Sequence, residues 1–334
     1  MTTLRLTPAL LALPTRDVAR EIARDRLRNV LEEAARLESE PPSPAGAAAG
    51  AAGATARGDA EAVHDFRVAL RRLRTWLKAL APSLDDVPRR GTRRRMRKLW
   101  RLASKSRDLE VRQATLAGLG AVATKTAARE ATERTLNLSH QVQRARRKLT
   151  EAVPDTLPRI AVGLSRQLQD DDAGRALDIH DTANPLMAAA MARLLRAKLE
   201  KLTRSLDRLQ RGSATRRMHA VRIAAKKLRY LLDAFDEQSR LARSAVRRLA
   251  KLQDIYGSLH DEQLLEDRLA NQRHSTLRRD PARTALRRQI RRDTRRARQV
   301  ARSREIATAR RATERLIRQL ERRGTTRRPR QRRA

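Results

Sequence analysis

Cysteine is absent from the 334 residues, so disulfide frameworks, thiolate nucleophiles and cysteine-ligated zinc are excluded. Aromatic residues are scarce: two Trp, two Tyr and two Phe. That leaves little on which bases could stack and argues against single-stranded nucleic-acid recognition. No apolar run approaches the roughly 18 residues a membrane span needs. The run from Pro8 to Pro14 is short, bounded by prolines and preceded only by Arg5, with no cleavage pattern, so no signal peptide is expected. Nor does any stretch alternate with the period of two that strands require. An all-α, cytoplasmic chain is expected.

Positive charge, by contrast, is present in great excess: 77 Lys and Arg against 38 Asp and Glu give a formal net charge of +39. A field of that size calls for a counter-charge, which means nucleic acid, an anionic membrane or a soluble polyanion. Arginine outnumbers lysine, and its planar fork suits bidentate contact with phosphate oxygens.

Helical spacing divides the chain. An extension, residues 1–14, precedes an amphipathic helix from about Thr15 to Leu37. Pro41-Pro42-Ser43-Pro44 and an Ala/Gly run to Gly58 read as flexible. A basic helix, a helix from about Gly91 and another from Thr124 to Val153 follow, and Pro154 and Pro158 are expected to separate the last from a helix at Ile160 to Leu168. The first half is thus 15–168, and an acidic linker, 169–183, joins it to a second half, 184–320. That half holds helices from Leu186 to Leu209 and from Ala245 to Ala270, a second basic helix between them, and an arginine-rich pair from Pro281 to Leu320. Glu321 to Ala334 reads as a disordered basic tail.

The two basic helices match each other. Val63 to Leu80 reads VHDFRVALRRLRTWLKAL and Met218 to Phe235 reads MHAVRIAAKKLRYLLDAF. His64 falls on His219, Arg67 on Arg222, Arg71 on Lys226, Arg72 on Lys227 and Arg74 on Arg229. Steps of three, four and three residues bring polar positions to one side of a helix. Phe66, Leu70, Leu73, Leu77 and Leu80 form an apolar stripe beside them, matched by Val221, Ala225, Leu228, Leu232 and Phe235. The match continues downstream, where Lys98 falls on Lys251, Leu99 on Leu252 and Asp108 on Asp261. Two pseudo-symmetric antiparallel helical bundles, from an internal duplication, are expected.

These residues carry a resemblance. His64-x-x-Arg67-Val68-x-x-Arg71-Arg72-Leu73-Arg74, its second copy His219 to Tyr230, and Leu252 to Asp261 resemble the signatures of the CHAD domain, the conserved histidine α-helical domain. The first-half stretch Leu99 to Asp108 departs from the second signature, with Arg101 and Lys105 where the second half has Asp254 and Ser258. The resemblance implies two bundles around a basic cavity, binding of inorganic polyphosphate and association with polyphosphate granules. Family members often carry a CYTH enzyme domain. The stretch before the first motif is too short for one and lacks the ExExK signature, Glu38-Ser39-Glu40 being followed by Pro41-Pro42, so a stand-alone, non-enzymatic module without cofactor is expected.

The candidate polyphosphate-binding residues are His64, Arg67, Arg71, Arg72, Arg74 and Lys98, with His219, Arg222, Lys226, Lys227, Arg229 and Lys251 from the second half. Histidine protonation should strengthen binding as pH falls from about 8 to 6. Asp108 and Asp261 read as organisers of arginines or caps, and His140, His260 and His274 are given no role. His64-Asp65 with His219 lacks the spacing of a metal site, while Asp178, His180 and Asp181 could hold a cation weakly. The competing reading is a nucleoid- or RNA-associated basic protein with its charge on an outer face. An enzyme acting on phosphate polymers would need acidic metal ligands beside the basic stripe, and the sequence does not supply them.

Overall fold

A computed structural model describes residues 4–39, 49–85, 87–173, 185–211, 215–271 and 276–325, with the backbone alone at 49–60 and 170–173. Over these residues the α-helices run α1 (Pro8–Leu11), α2 (Thr15–Ser39), α3 (Ala49–Ala79), α4 (Arg90–Gly120), α5 (Lys125–Ala173), α6 (Met187–Gln210), α7 (Thr215–Leu232), α8 (Arg240–Asn271), α9 (Pro281–Ala301) and α10 (Arg304–Thr325). Among the described residues there is no strand, only an isolated bridge between Pro14 and Leu186. No described helix is long and apolar enough to cross a membrane.

Helices α2 to α5 pack on one another, as do α6, α7, α8 and α10, while α9 lies against α8. The two groups meet where α2 touches α6, α3 touches α7 and α4 touches α8. The apolar stripes explain the arrangement: Phe66, Leu70, Leu73 and Leu77 of α3 and Val221, Ala225, Leu228 and Leu232 of α7 are all buried in one continuous core. Side chains one or two positions along are thereby turned toward the seam between the groups.

Four boundaries differ from expectation. Pro154 and Pro158 interrupt nothing; α5 runs through both. The two prolines stand four residues apart on the exposed side, where water can take the carbonyls they leave unbonded. Val153, Leu157, Ile160 and Leu164 hold the opposite side in the core. The Ala/Gly run is helical from Ala49, in line with alanine's high helix propensity. Residues 321–325 continue α10 rather than beginning a tail. A Cβ on Gly324 would come within 2.8 Å of the Ala189 Cβ, and Glu321 pairs with Arg196, so this end is docked. The remaining tail, 326–334, lies outside the described residues, as do His274 and most of the acidic linker, including Asp178, His180 and Asp181; its first residues, to Ala173, belong to α5.

The N-terminal extension fastens the two groups together. Leu6 and Leu11 are buried, Leu6 N–H donates to the Ala234 carbonyl at 2.9 Å, and Met187 N–H donates to that of Leu13 at 2.9 Å. Arg5 reaches Asp236 at 2.8 Å and Glu237 at 3.1 Å. At the far end of the seam a smaller core joins Leu116, Leu119 and Leu138 to Leu265, Leu277 and Leu286. Asp280 caps α9 by accepting from Ala282 N–H at 2.8 Å and also accepts from Thr124 N–H at 3.2 Å. Between these two fastenings the groups enclose a gap.

Candidate polyanion cavity

The gap is a cavity of about 850 Å³ lined by α3, α4, α6, α7 and α8. Twelve cationic side chains face it against two carboxylates, Asp108 and Asp261. Among the described residues only Arg107 of the twelve forms an ion pair, with Glu110 at 3.1 Å on its own helix. Arg71 donates to the Tyr230 hydroxyl at 3.4 Å, joining α3 to α7 across the cavity. Arg74 lies over the Trp100 ring, 4.8 Å from its centre, so the indole supports the guanidinium without neutralising it. Nδ1 of His64 and Nε of Arg67 are buried with no hydrogen-bond partner. A buried polar atom left bare is costly.

Crowded positive charge weakens each member's hold on its proton. Burial, then Arg71, Arg222, Arg67 and Arg229, brings Lys226 down from 10.5 to about 7. Burial followed by Arg71 lowers Arg67 to about 10, still charged at neutrality. His64 is lowered by burial and then by Arg107 and Arg67, so it is largely neutral at pH 7. His260 moves the same way through burial and Arg222. Asp261 is raised by burial, against the pull of Arg222. An entering polyanion would reverse the shifts of the lysine and the histidines.

Seven of the twelve sequence candidates line the cavity: His64, Arg67, Arg71, Arg74, Arg222, Lys226 and Lys227. The other five do not, each for a geometric reason. Arg72 is rotated about 100° from Arg71 on the helix and lies 4.0 Å from Asp233. Arg229 is turned onto the Tyr230 ring, 5.8 Å from its centre. His219 is exposed and stacks on His260, with 5.1 Å between centroids, so His260 takes the place expected of it at the wall. Lys98 and Lys251 sit nine residues, or about 13 Å, before the main wall residues Arg107 and His260 of their helices. Lys98 is exposed, and Lys251 pairs with Glu305 at 3.7 Å.

The structure adds cations that sequence matching did not select: Lys78, Arg107, Arg112, Lys198, Lys201 and Arg268. Lys78 continues the stripe of α3 one turn past Arg74 and was legible by spacing. Arg107 and Arg112 flank the aligned Asp108. Lys198 and Lys201 lie on α6, which carries no motif, and only tertiary packing brings them in. Among the described residues no group of three or more His, Asp or Glu is placed to hold a metal ion.

The described residues thus form an all-helical domain around a cation-lined cavity whose charges are largely unpaired. The CHAD domain family matches residues 45–270, and the chain belongs to that family. The chain is also similar to the crystal structure of the CHAD domain from the plant Ricinus communis: TM-score 0.62 and 19% identity, over 88% of this chain and 96% of that one. At that identity the likeness speaks for the fold. No curated protein matches significantly.

Proposed function

We propose that this chain is a non-enzymatic module that binds inorganic polyphosphate in the cavity, in the cytoplasm and on polyphosphate granules. The observation that carries the reading is the lining: twelve cations, eleven without an ion pair among the described residues, against two carboxylates. Such a surface is stable only when a polyanion or condensed counterions neutralise it. Polyphosphate has no bases to read, and the Trp100 and Tyr230 rings on the wall are already taken by Arg74 and Arg229. Charge-assisted bonds from Arg67, Arg71, Arg74, Arg222 and Lys226 would supply most of the affinity, and counterion release the remainder. Asp108 and Asp261 stand among arginines, which suits them to orient guanidinium groups rather than to serve as bases.

The test is a competition titration at about 0.2 M salt, a concentration that suppresses loose electrostatic association. Labelled long-chain polyphosphate is displaced by unlabelled polyphosphate, duplex DNA, RNA or heparin at matched charge. A strong preference for polyphosphate that disappears in R71A/K226A is the expected result. Equal displacement by every polyanion overturns the reading and leaves a diffuse basic coat.

A further inference from the structure

None of the eight arginines of helix α9 lines the cavity, and six of them, Arg287, Arg288, Arg291, Arg292, Arg295 and Arg296, fall in adjacent pairs. At 100° per residue, Arg288, Arg291, Arg292 and Arg295 fall within an arc of about 100°. The buried residues of the helix, Ala282, Arg283, Leu286, Ala297 and Ala301, lie on the opposite side, so its apolar face is taken up by the fold. All four arginines of the arc are exposed, and none forms an ion pair or hydrogen bond among the described residues. Arg287, at the edge, pairs with Glu266 at 2.5 Å. The single acid of the helix, Asp293, is turned away, toward Glu262.

We propose that this face of α9 is a second polyanion surface, separate from the cavity, that takes the phosphodiester backbone of duplex nucleic acid. The four guanidinium groups span about 10 Å along the helix, enough to meet several neighbouring phosphates. Arginine's fork matches phosphate oxygens. The face has no aromatic residue for splayed bases, so a single strand gains nothing over a duplex. Nor has it an exposed apolar residue to enter a bilayer, which an interfacial helix requires. Because no residue of α9 lines the cavity, a filled cavity leaves the face open, and one molecule can hold two polyanions at once.

The probe is a fluorescent 20-base-pair duplex of mixed sequence, titrated against the full chain at several salt concentrations. Each phosphate contact contributes about 0.9 to the slope of log K against log salt. The quadruple variant R288Q/R291Q/R292Q/R295Q should therefore lower that slope by about 3 to 4. It should bind polyphosphate as the parent does, within about threefold. R71A/K226A should behave in the opposite way, which separates failure of this surface from failure of the cavity reading. An unchanged duplex slope in the quadruple variant overturns the proposal. So does tighter binding of phosphatidylserine vesicles than of duplex at matched charge, since the face would then be a membrane contact.

Discussion

Helices α3 and α7 carry nearly the same residues and spend them differently. On α3 the stripe His64, Arg67, Arg71 and Arg74 faces the cavity throughout and is continued by Lys78. On α7 only Arg222 and Lys226 of the matching four do so, joined by Lys227 and Tyr230 from the neighbouring flank. Arg229 turns onto Tyr230 and His219 onto His260. The two sides also differ in charge balance: Lys226 is pushed to about 7, whereas Arg71, its counterpart, has the Tyr230 hydroxyl as a partner. A motif therefore fixes which residues are available, and the azimuth of the helix decides which of them meet the ligand.

The largest effect expected from this comparison is on affinity. R71A/K226A should weaken polyphosphate binding by about 2–4 kcal/mol, the worth of two charge-assisted bonds. K98A/K251A removes the same formal charge from outside the cavity and should change affinity less than about threefold. Calorimetric titration of both at one salt concentration decides: equal losses would mean that net charge, not cavity geometry, sets affinity.

Next in size is a stability effect confined to α7. Lys226 has a folded pKa of about 7 against 10.5 in an unfolded chain. Between those values the unfolded chain holds a proton the fold rejects, so the ligand-free protein gains stability as pH rises through that window. Below pH 7 the penalty is present in full. K226M should stabilise the empty protein at pH 7 by about 2–4 kcal/mol and flatten its pH dependence. R71M removes the largest charge acting on Lys226 and leaves its burial in place, so it should weaken the pH dependence only in part. Chemical denaturation at pH 7 and pH 9.5 would show it, and identical slopes in parent and K226M would sink the assignment.

That contrast also separates what local pattern can tell from what only packing decides. The apolar stripes, the helix order and the first-half cations are legible in the sequence, because helical periodicity fixes which side of an isolated helix is apolar. Lys198 and Lys201 are not, because no local pattern says that α6 will border the seam. His219 stands out by its match to His64, yet local repetition cannot report that His260 occupies the wall. Nor can the sequence show that residues 4–14 fasten the two groups, since that role consists of contacts with Ala234, Asp236, Glu237 and Met187, far along the chain. The prolines of α5 mislead for a related reason: their effect depends on whether the freed carbonyls face water.

Ligand binding should carry its own pH signature, in two separable windows. A polyanion restores the charge of Lys226, so binding takes up a proton wherever the free amine is neutral. Affinity should be level just below pH 7 and fall above it, by up to tenfold per pH unit, until the bound-state pKa is passed. The histidines act lower. His64 and His260 have free pKa values below 6.5, and their protonation should strengthen binding only in acid. K226M should abolish the upper limb and leave the lower one. A single limb lost in H64A would place all the titration on the histidines and refute the role of Lys226.

The smallest expected difference is between His64 and His219, and it tests the azimuth argument most directly. His64 lies on the cavity wall, whereas His219 is exposed and touches the cavity only through the His260 ring. At pH 6, H64A should weaken polyphosphate binding by about 1.5 kcal/mol, the value of one hydrogen bond to a charged partner at the low end. H219A should cost a few tenths at most, from looser positioning of His260. H260A should resemble H64A. If H219A instead matched H64A, while H260A bound as the parent does, the histidines would act as a sequence-equivalent pair. The ligand would then have to leave the cavity wall to reach the outer face of α7.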